Sequence, residues 1–185
     1  DEARQLIRPE WPSEFHIFQL RREASLARSA GRIDEALALI RKEVDLGART
    51  CDWRLEVIAR NNLVDLLWQV GPVEEAAHEA QRLAQDLRQR PSTAGDTDVL
   101  YANLIGILCE MDRIIEASDA AREALPVMRR SRNYFLEEWV YLFWRRGQTD
   151  IAAQLLGAVE TLSSATGLPA QPNEQRLVAR ARAAL

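Results

Sequence analysis

The chain has 185 residues, 47% of them hydrophobic and 28% charged, a composition typical of a folded globular domain. The formal net charge of −4 argues against a nucleic-acid interface, which needs a basic face. No apolar run approaches the roughly 18 residues that a membrane-spanning helix needs, and the start does not resemble a signal peptide. Because the chain begins with Asp1, we expect it to be a piece of a longer cytoplasmic protein.

A short signature recurs along the chain: a helix-ending residue, four intervening residues and an alanine. The copies begin at Gly31, Gly71, Asp112 and Gly147 and end at Ala36, Ala76, Ala117 and Ala152. Self-similarity at intervals of 40, 41 and 35 residues predicts a helical solenoid. Glycine permits the left-handed backbone that ends the first helix of a pair, and alanine permits close approach at the helix crossing.

The predicted elements follow a lead-in over 1–13 that contains Pro9 and Pro12. Amphipathic patterns and turn signals predict four helix pairs, over 14–48, 52–90, 96–130 and 133–166. Pro126 lies inside a predicted helix, where we expect a kink or an early end. A last helix over 173–185 is expected to cap the open apolar end of the array. The predicted fold is all-α: a right-handed α-α superhelix of about four helix pairs in a single domain, 1–185.

The signature resembles the tetratricopeptide repeat (TPR). The match is best over 26–36 and again over 117–125, although the family repeats every 34 residues and the spacing here is longer. Glu43 stands where the family usually has a small residue. The resemblance implies a TPR-like scaffold whose first helices line a concave, partner-binding groove.

The end of the chain resembles the ending of large bacterial regulators of the LuxR-type or winged-helix kind. The resemblance is carried by Ala-Ala-Gln-Leu-Leu-Gly-Ala-Val-Glu over 152–160 and by Thr-Gly-Leu-Pro over 166–169. It implies a sensor array that controls neighbouring ATPase and DNA-binding domains of a parent chain. A free-standing adaptor or chaperone that binds a protein partner is the alternative, and the residues leave both open.

Catalytic and metal-binding patterns are weak in this sequence. It has no Gly-x-x-x-x-Gly-Lys-Ser/Thr loop for a nucleotide phosphate, and its only histidines, His16 and His78, are isolated. Cys51 and Cys109 do not form a metal-type spacing. We therefore predict a non-enzymatic protein without a cofactor or a metal.

An aromatic segment over 134–144 has two faces. Phe135, Trp139 and Phe143 mark the expected core face, and Tyr141 and Trp144 mark a second face that the resemblance places in the groove. The alternative, that these aromatics pack against a neighbouring helix, stays open. The groove would receive a protein partner or a small inducer, and the candidate binding residues are Arg21, Arg28, Asn61, Asp65, Trp68, Tyr134, Glu137, Tyr141, Trp144 and Arg145.

Overall fold

The computed structural model describes residues 10–90, 94–131, 135–166 and 171–185. Within these ranges every regular element is an α-helix. The helices are α1 (Ser13–Ser29), α2 (Ile33–Arg49), α3 (Trp53–Val70), α4 (Val73–Gln89), α5 (Ala94–Glu110), α6 (Ile114–Ser131), α7 (Glu137–Arg145), α8 (Thr149–Thr166) and α9 (Pro172–Arg182).

Consecutive helices pack as hairpins, α1 with α2, α3 with α4, α5 with α6 and α7 with α8. Helices α3, α5 and α7 also contact one another in order, which makes them an inner layer, whereas α4, α6 and α8 lie outside it. One continuous apolar core runs through these pairs. This arrangement is an α-α solenoid.

The alanines of the repeat lie where the signature predicts. Ala36, Ala76, Ala117 and Ala152 are each completely buried. A larger side chain at such a position would force the paired helices apart, because protein interiors are close-packed. The prediction that these four residues are buried is confirmed.

Three of the four helix-ending residues share one geometry. Gly31 and Gly147 have φ of +72°, and Asp112 has φ of +61°. The amide after each turn residue donates to a carbonyl five residues earlier, as Arg32 does to Ala27 at 2.9 Å. This bond defines a Schellman motif, which satisfies a carbonyl that the helix end leaves free.

The fourth helix-ending residue differs. Gly71 has φ of −115° and ψ of −165°, an extended conformation and not the predicted left-handed one. Pro72 follows it directly, and a proline pushes the preceding residue towards extended backbone.

Three predicted boundaries require correction. Helix α5 begins at Ala94, before the expected start, and α7 begins only at Glu137. Helix α6 passes through Pro126 and continues to Ser131, so it does not end early. Proline removes one backbone donor and crowds the carbonyl four residues earlier, and the burial of Ala124, Val127 and Met128 around it offsets that cost.

The last helix is not placed as expected. Helix α9 packs chiefly against α7 and also contacts α5, α3 and α8. It therefore lies along the inner layer, and Ile151 and Leu162 of α8 remain exposed at the end that it was expected to cap. The inner layer offers α9 a wider contact surface than α8 alone, because three helices meet there.

Candidate functional site

The inner face of the solenoid has two parts. The first, the amino-terminal cleft, is a cavity of about 190 Å³ between α1 and α3. The second, the covered groove, is the surface of α3, α5 and α7 beneath α9. The cleft is lined by Arg21, Ala24, Ser25, Arg28, Ile40, Asn62, Asp65, Leu66 and Gln171.

One wall of the cleft is fixed by a buried carboxylate. Glu43 of α2 is fully buried, and its Oε1 accepts hydrogen bonds from Nε and Nη2 of Arg21 at 2.8 and 2.7 Å. The same oxygen accepts from Nδ2 of Asn62 at 3.3 Å. Burial raises the pKa of Glu43, and the charge and hydrogen bonds of Arg21 oppose that rise. The cationic head of Arg21 is thereby held at the cleft.

A second ion pair spans the cleft from α1 to α3. Nη1 of Arg28 lies 3.5 Å from Oδ2 of Asp65. The Nε2 group of Gln69 donates to both oxygens of Asp65 at 3.0 Å. Burial raises the pKa of Asp65, and these two partners lower it. The cleft thus presents two guanidinium groups on α1 opposite an amide and a carboxylate on α3.

The covered groove is built around a glycine. A Cβ atom at Gly106 would lie 2.2 Å from Cη2 of Trp68 and 3.0 Å from Cγ of Glu138. The absence of a side chain at Gly106 therefore lets the indole of α3 cross α5 towards α7. The indole Nε1 of Trp68 donates to Glu110 at 2.7 Å, which satisfies its polar atom.

Helix α9 closes this groove with one charged contact. Nη2 of Arg176 lies 3.3 Å from both the carbonyl oxygen of Trp68 and Oε2 of Glu110. Glu138 is buried, and desolvation, followed by the charge of Glu174 on α9, raises its pKa well above the ordinary value. The groove therefore holds carboxyl groups in an environment that disfavours their charged forms.

The predicted binding residues separate between these two parts. Arg21, Arg28 and Asp65 line the open cleft. Trp68 and Asn61 are buried, with 2% and 9% of their surfaces exposed, so neither lines an open groove as expected. Their burial has a physical cause, since inner helices of a solenoid contact neighbours on most sides.

For the candidates near α7, the sequence left two alternatives open, a groove face or packing against a neighbouring helix. Tyr141 is buried, at 4% exposure, so its ring is part of the core. Trp144 is half-buried and packs edge to face with Tyr141 at 5.2 Å. Arg145 is exposed and pairs with Asp112, and Glu137 is half-buried beside Glu174. The remaining candidate, Tyr134, lies outside the described residues.

Sequence reasoning missed two buried acids that shape the site. For Glu43 a signal existed, because an acid interrupts the apolar face of α2 three residues after Ile40. For Glu138 none existed, because its side chain packs at Gly106 of α5, which is distant in sequence.

Other site chemistry is limited in the described part of the chain. No group of three His, Cys, Asp or Glu side chains there is placed to hold a metal ion. Cys51 is exposed, and burial raises the pKa of the Cys109 thiol. None of the described helices is long and apolar enough to cross a membrane.

Comparisons with known proteins identify the fold. A crystal structure of nearly identical TPR-like repeats, assigned to a kinesin light chain of Podosopora anserina, matches with a TM-score of 0.64 at 18% identity. A single-substitution form of those repeats matches with a TM-score of 0.65 at 16% identity. Each match covers 93% of this chain and 87% of the other.

The fold is TPR-like. At these identities the likeness establishes the architecture alone. No protein-family model matches the chain, and no curated protein matches it.

Proposed function

We propose that this solenoid is a non-catalytic recognition domain that binds a segment of a protein partner in the amino-terminal cleft. The observation that carries the proposal is the cleft itself, where Arg21 and Arg28 face Asn62 and Asp65 across a cavity. Fixed charges on opposite walls orient a polypeptide and select its sequence. TPR-like neighbours are consistent with a binding scaffold.

The size of the cleft favours a polypeptide over a small inducer. Its volume of about 190 Å³ is below the roughly 300–1,000 Å³ of typical small-molecule sites. Two or three side chains of an extended segment would fit such a space. A small inducer remains the second candidate ligand for the groove, and its binding would require α9 to move.

We further propose that the domain is the regulatory array of a bacterial transcriptional regulator in the cytoplasm. The support is the sequence resemblance over 152–160 and 166–169. Binding in the cleft would shift the array between conformations and so bias the neighbouring ATPase and DNA-binding domains. A free-standing adaptor or chaperone is the alternative, and a phosphate-binding loop encoded upstream of Asp1 would decide for the regulator.

A peptide-display experiment tests the recognition function. Random 12-residue peptides on phage are selected on the wild-type chain, and enriched peptides are measured by calorimetry. We expect Arg28→Glu to weaken binding by about 1–3 kcal/mol, because a desolvated ion pair is lost. The matched control is Arg41→Glu, an exposed arginine on α2, which should leave binding unchanged.

The recognition proposal fails if no peptide family is enriched, or if Arg28→Glu and Arg41→Glu bind alike. It also fails if the chain instead binds ATP or a DNA duplex with saturable affinity.

A further inference from the structure

Helix α9 fits the covered groove as an amphipathic helix fits a receptor. Its buried side chains are Asn173, Leu177, Val178 and Ala181. Three of them follow one another at intervals of four residues and Val178 adjoins Leu177, so the four lie on one face of the helix. The opposite face, which includes Ala179 and Arg180, is exposed. Anchors at such spacing are the usual means by which a groove recognises a helix.

The polar fit between α9 and the groove is poor. Both side-chain amide atoms of Asn173 are buried without a hydrogen-bond partner, and so is Oε2 of Glu138. When α9 docks, these atoms lose their hydrogen bonds to water and form none with the protein. In addition, burial, and then the charges of Glu137 and Asp65, raise the pKa of Glu174, and the hydrogen bond that its carboxylate accepts from the Gln171 amide at 2.6 Å opposes that rise. Helix α9 is therefore an occupant that a better-matched helix can displace.

The charges of the groove define that better match. Four carboxyl groups on three helices interact with α9. Glu110 accepts a hydrogen bond from Arg176, and Asp65, Glu137 and Glu138 interact electrostatically with Glu174. On α9, Arg176 forms an ion pair with one of them, Glu110, at 3.3 Å. Arg28 pairs with Asp65 at the edge of the surface. An acidic groove of this kind selects a helix with positive charge at the position of Glu174.

From this juxtaposition we propose that the covered groove is a docking site for a basic amphipathic helix of a partner protein. Helix α9 occupies the site in cis, and the partner helix displaces it. The inference deepens the proposed recognition function and rests on it. It adds a second surface on the same inner face, with a defined partner chemistry.

Fluorescently labelled peptides provide the probe. The first peptide has the sequence of residues 171–185. The second differs from it by Glu174→Arg, and the third adds Leu177→Asp to remove an apolar anchor. Fluorescence anisotropy measures the binding of each peptide to three forms of the full chain.

The three forms of the chain differ in whether α9 can leave the groove, and the first is the wild type. The released form carries Leu177→Asp and Ala181→Asp, which place charges in the groove contact. The locked form carries Glu160→Cys and Arg182→Cys, at two positions whose native side chains form an ion pair at 2.8 Å. A short bismaleimide cross-links the two cysteines, in a background where the exposed Cys51 is replaced by serine.

We expect the released form to bind the second peptide about tenfold more tightly than the first, because attraction to the carboxyl groups replaces repulsion. The wild type should bind the second peptide more weakly than the released form does, and the locked form and the third peptide should show no binding. If the released form loses its helical circular dichroism, Arg176→Ala replaces it, since that change loosens α9 without placing a charge in the core.

Three results would overturn the inference. They are equal binding by the locked and released forms, equal binding of the first two peptides, and a released form that binds neither peptide. A concentration-dependent dimer that exchanges α9 would instead make a second copy of the chain the occupant. Peptides selected on the cleft should bind the locked form normally. If they do, failure here leaves the proposed function standing; if they do not, the proposed function fails with it.

Discussion

The two parts of the inner face differ in how they accommodate a buried carboxyl group. In the amino-terminal cleft, the buried charge of Glu43 is answered by Arg21 and Asn62. In the covered groove, the buried Glu138 has an oxygen without any partner. Glu43 also has one such oxygen, Oε2, so the two acids differ chiefly in the charges around them. The cation Arg21 favours the charged form of Glu43, whereas the acidic neighbours of Glu138 disfavour its charged form. The cleft is therefore held by an ion pair, whereas the covered groove contains a buried acid whose charged form its acidic neighbours disfavour.

The largest effect should come from the indole that joins the layers of the groove. We expect Trp68→Ala to lower the free energy of unfolding by about 3–5 kcal/mol, the range for a buried aromatic. Trp11→Ala is the matched control, because Trp11 is 38% exposed and its ring packs edge to face with Phe15; it should cost about 1 kcal/mol. Urea denaturation followed by circular dichroism measures both. Equal costs would show that the groove does not depend on Trp68.

The next effect tests the close approach over α5. Gly106→Ala should destabilise the chain by about 1–3 kcal/mol, because the new methyl group would overlap the ring of Trp68. Gly157→Ala is the control on α8, where a Cβ would meet nothing within 4 Å. That change should stabilise by about 0.4–1 kcal/mol, since alanine loses less entropy in a helix. A stabilising Gly106→Ala would contradict the packing described here.

A smaller effect, confined to α9, is expected from pH. Burial raises the pKa of Glu138 and of Glu174 above their ordinary value of 4.5. A raised carboxyl pKa favours docking fully below the ordinary value, and the contribution is lost as the pH rises through the raised one. The groups facing these two acids are Glu137 on α7 and Asp65 on α3, and Arg176 on α9 lies nearby.

Hydrogen exchange measures this dependence. Protection factors of α9 amides, corrected for intrinsic rates, should fall as the pH rises above the ordinary carboxyl value of 4.5, while those of α5 stay constant. Glu138→Gln should flatten the response, because its amide does not titrate. Protection of α9 that increases with pH would contradict the assignment.

The sequence predicts local features of this fold better than long-range ones. The buried alanines and the left-handed turns at Gly31 and Gly147 depend on neighbours within a few residues. The turn at Gly71 departs from the prediction for an equally local reason, the following proline. The sequence left the burial of Trp68 open, because the contacts that cover it come from α5 and α9. Contacts across a hundred residues leave no periodic signal in one sequence.

The smallest effect on stability should come from the ion pair that spans the cleft. Arg28 and Asp65 have side chains that are 38% and 22% exposed, and a partly exposed pair contributes about 0.2–1 kcal/mol. A double-mutant cycle with Arg28→Ala and Asp65→Ala should return a coupling energy in that range, and added salt should reduce it. The fold should remain intact in each variant, since neither residue fills the core. A coupling above about 2 kcal/mol would mean that the pair is structural, like Arg21 and Glu43. The charges of the cleft would then be committed to the fold and would not be available to a ligand, and the comparison between the cleft and the covered groove would lose its basis.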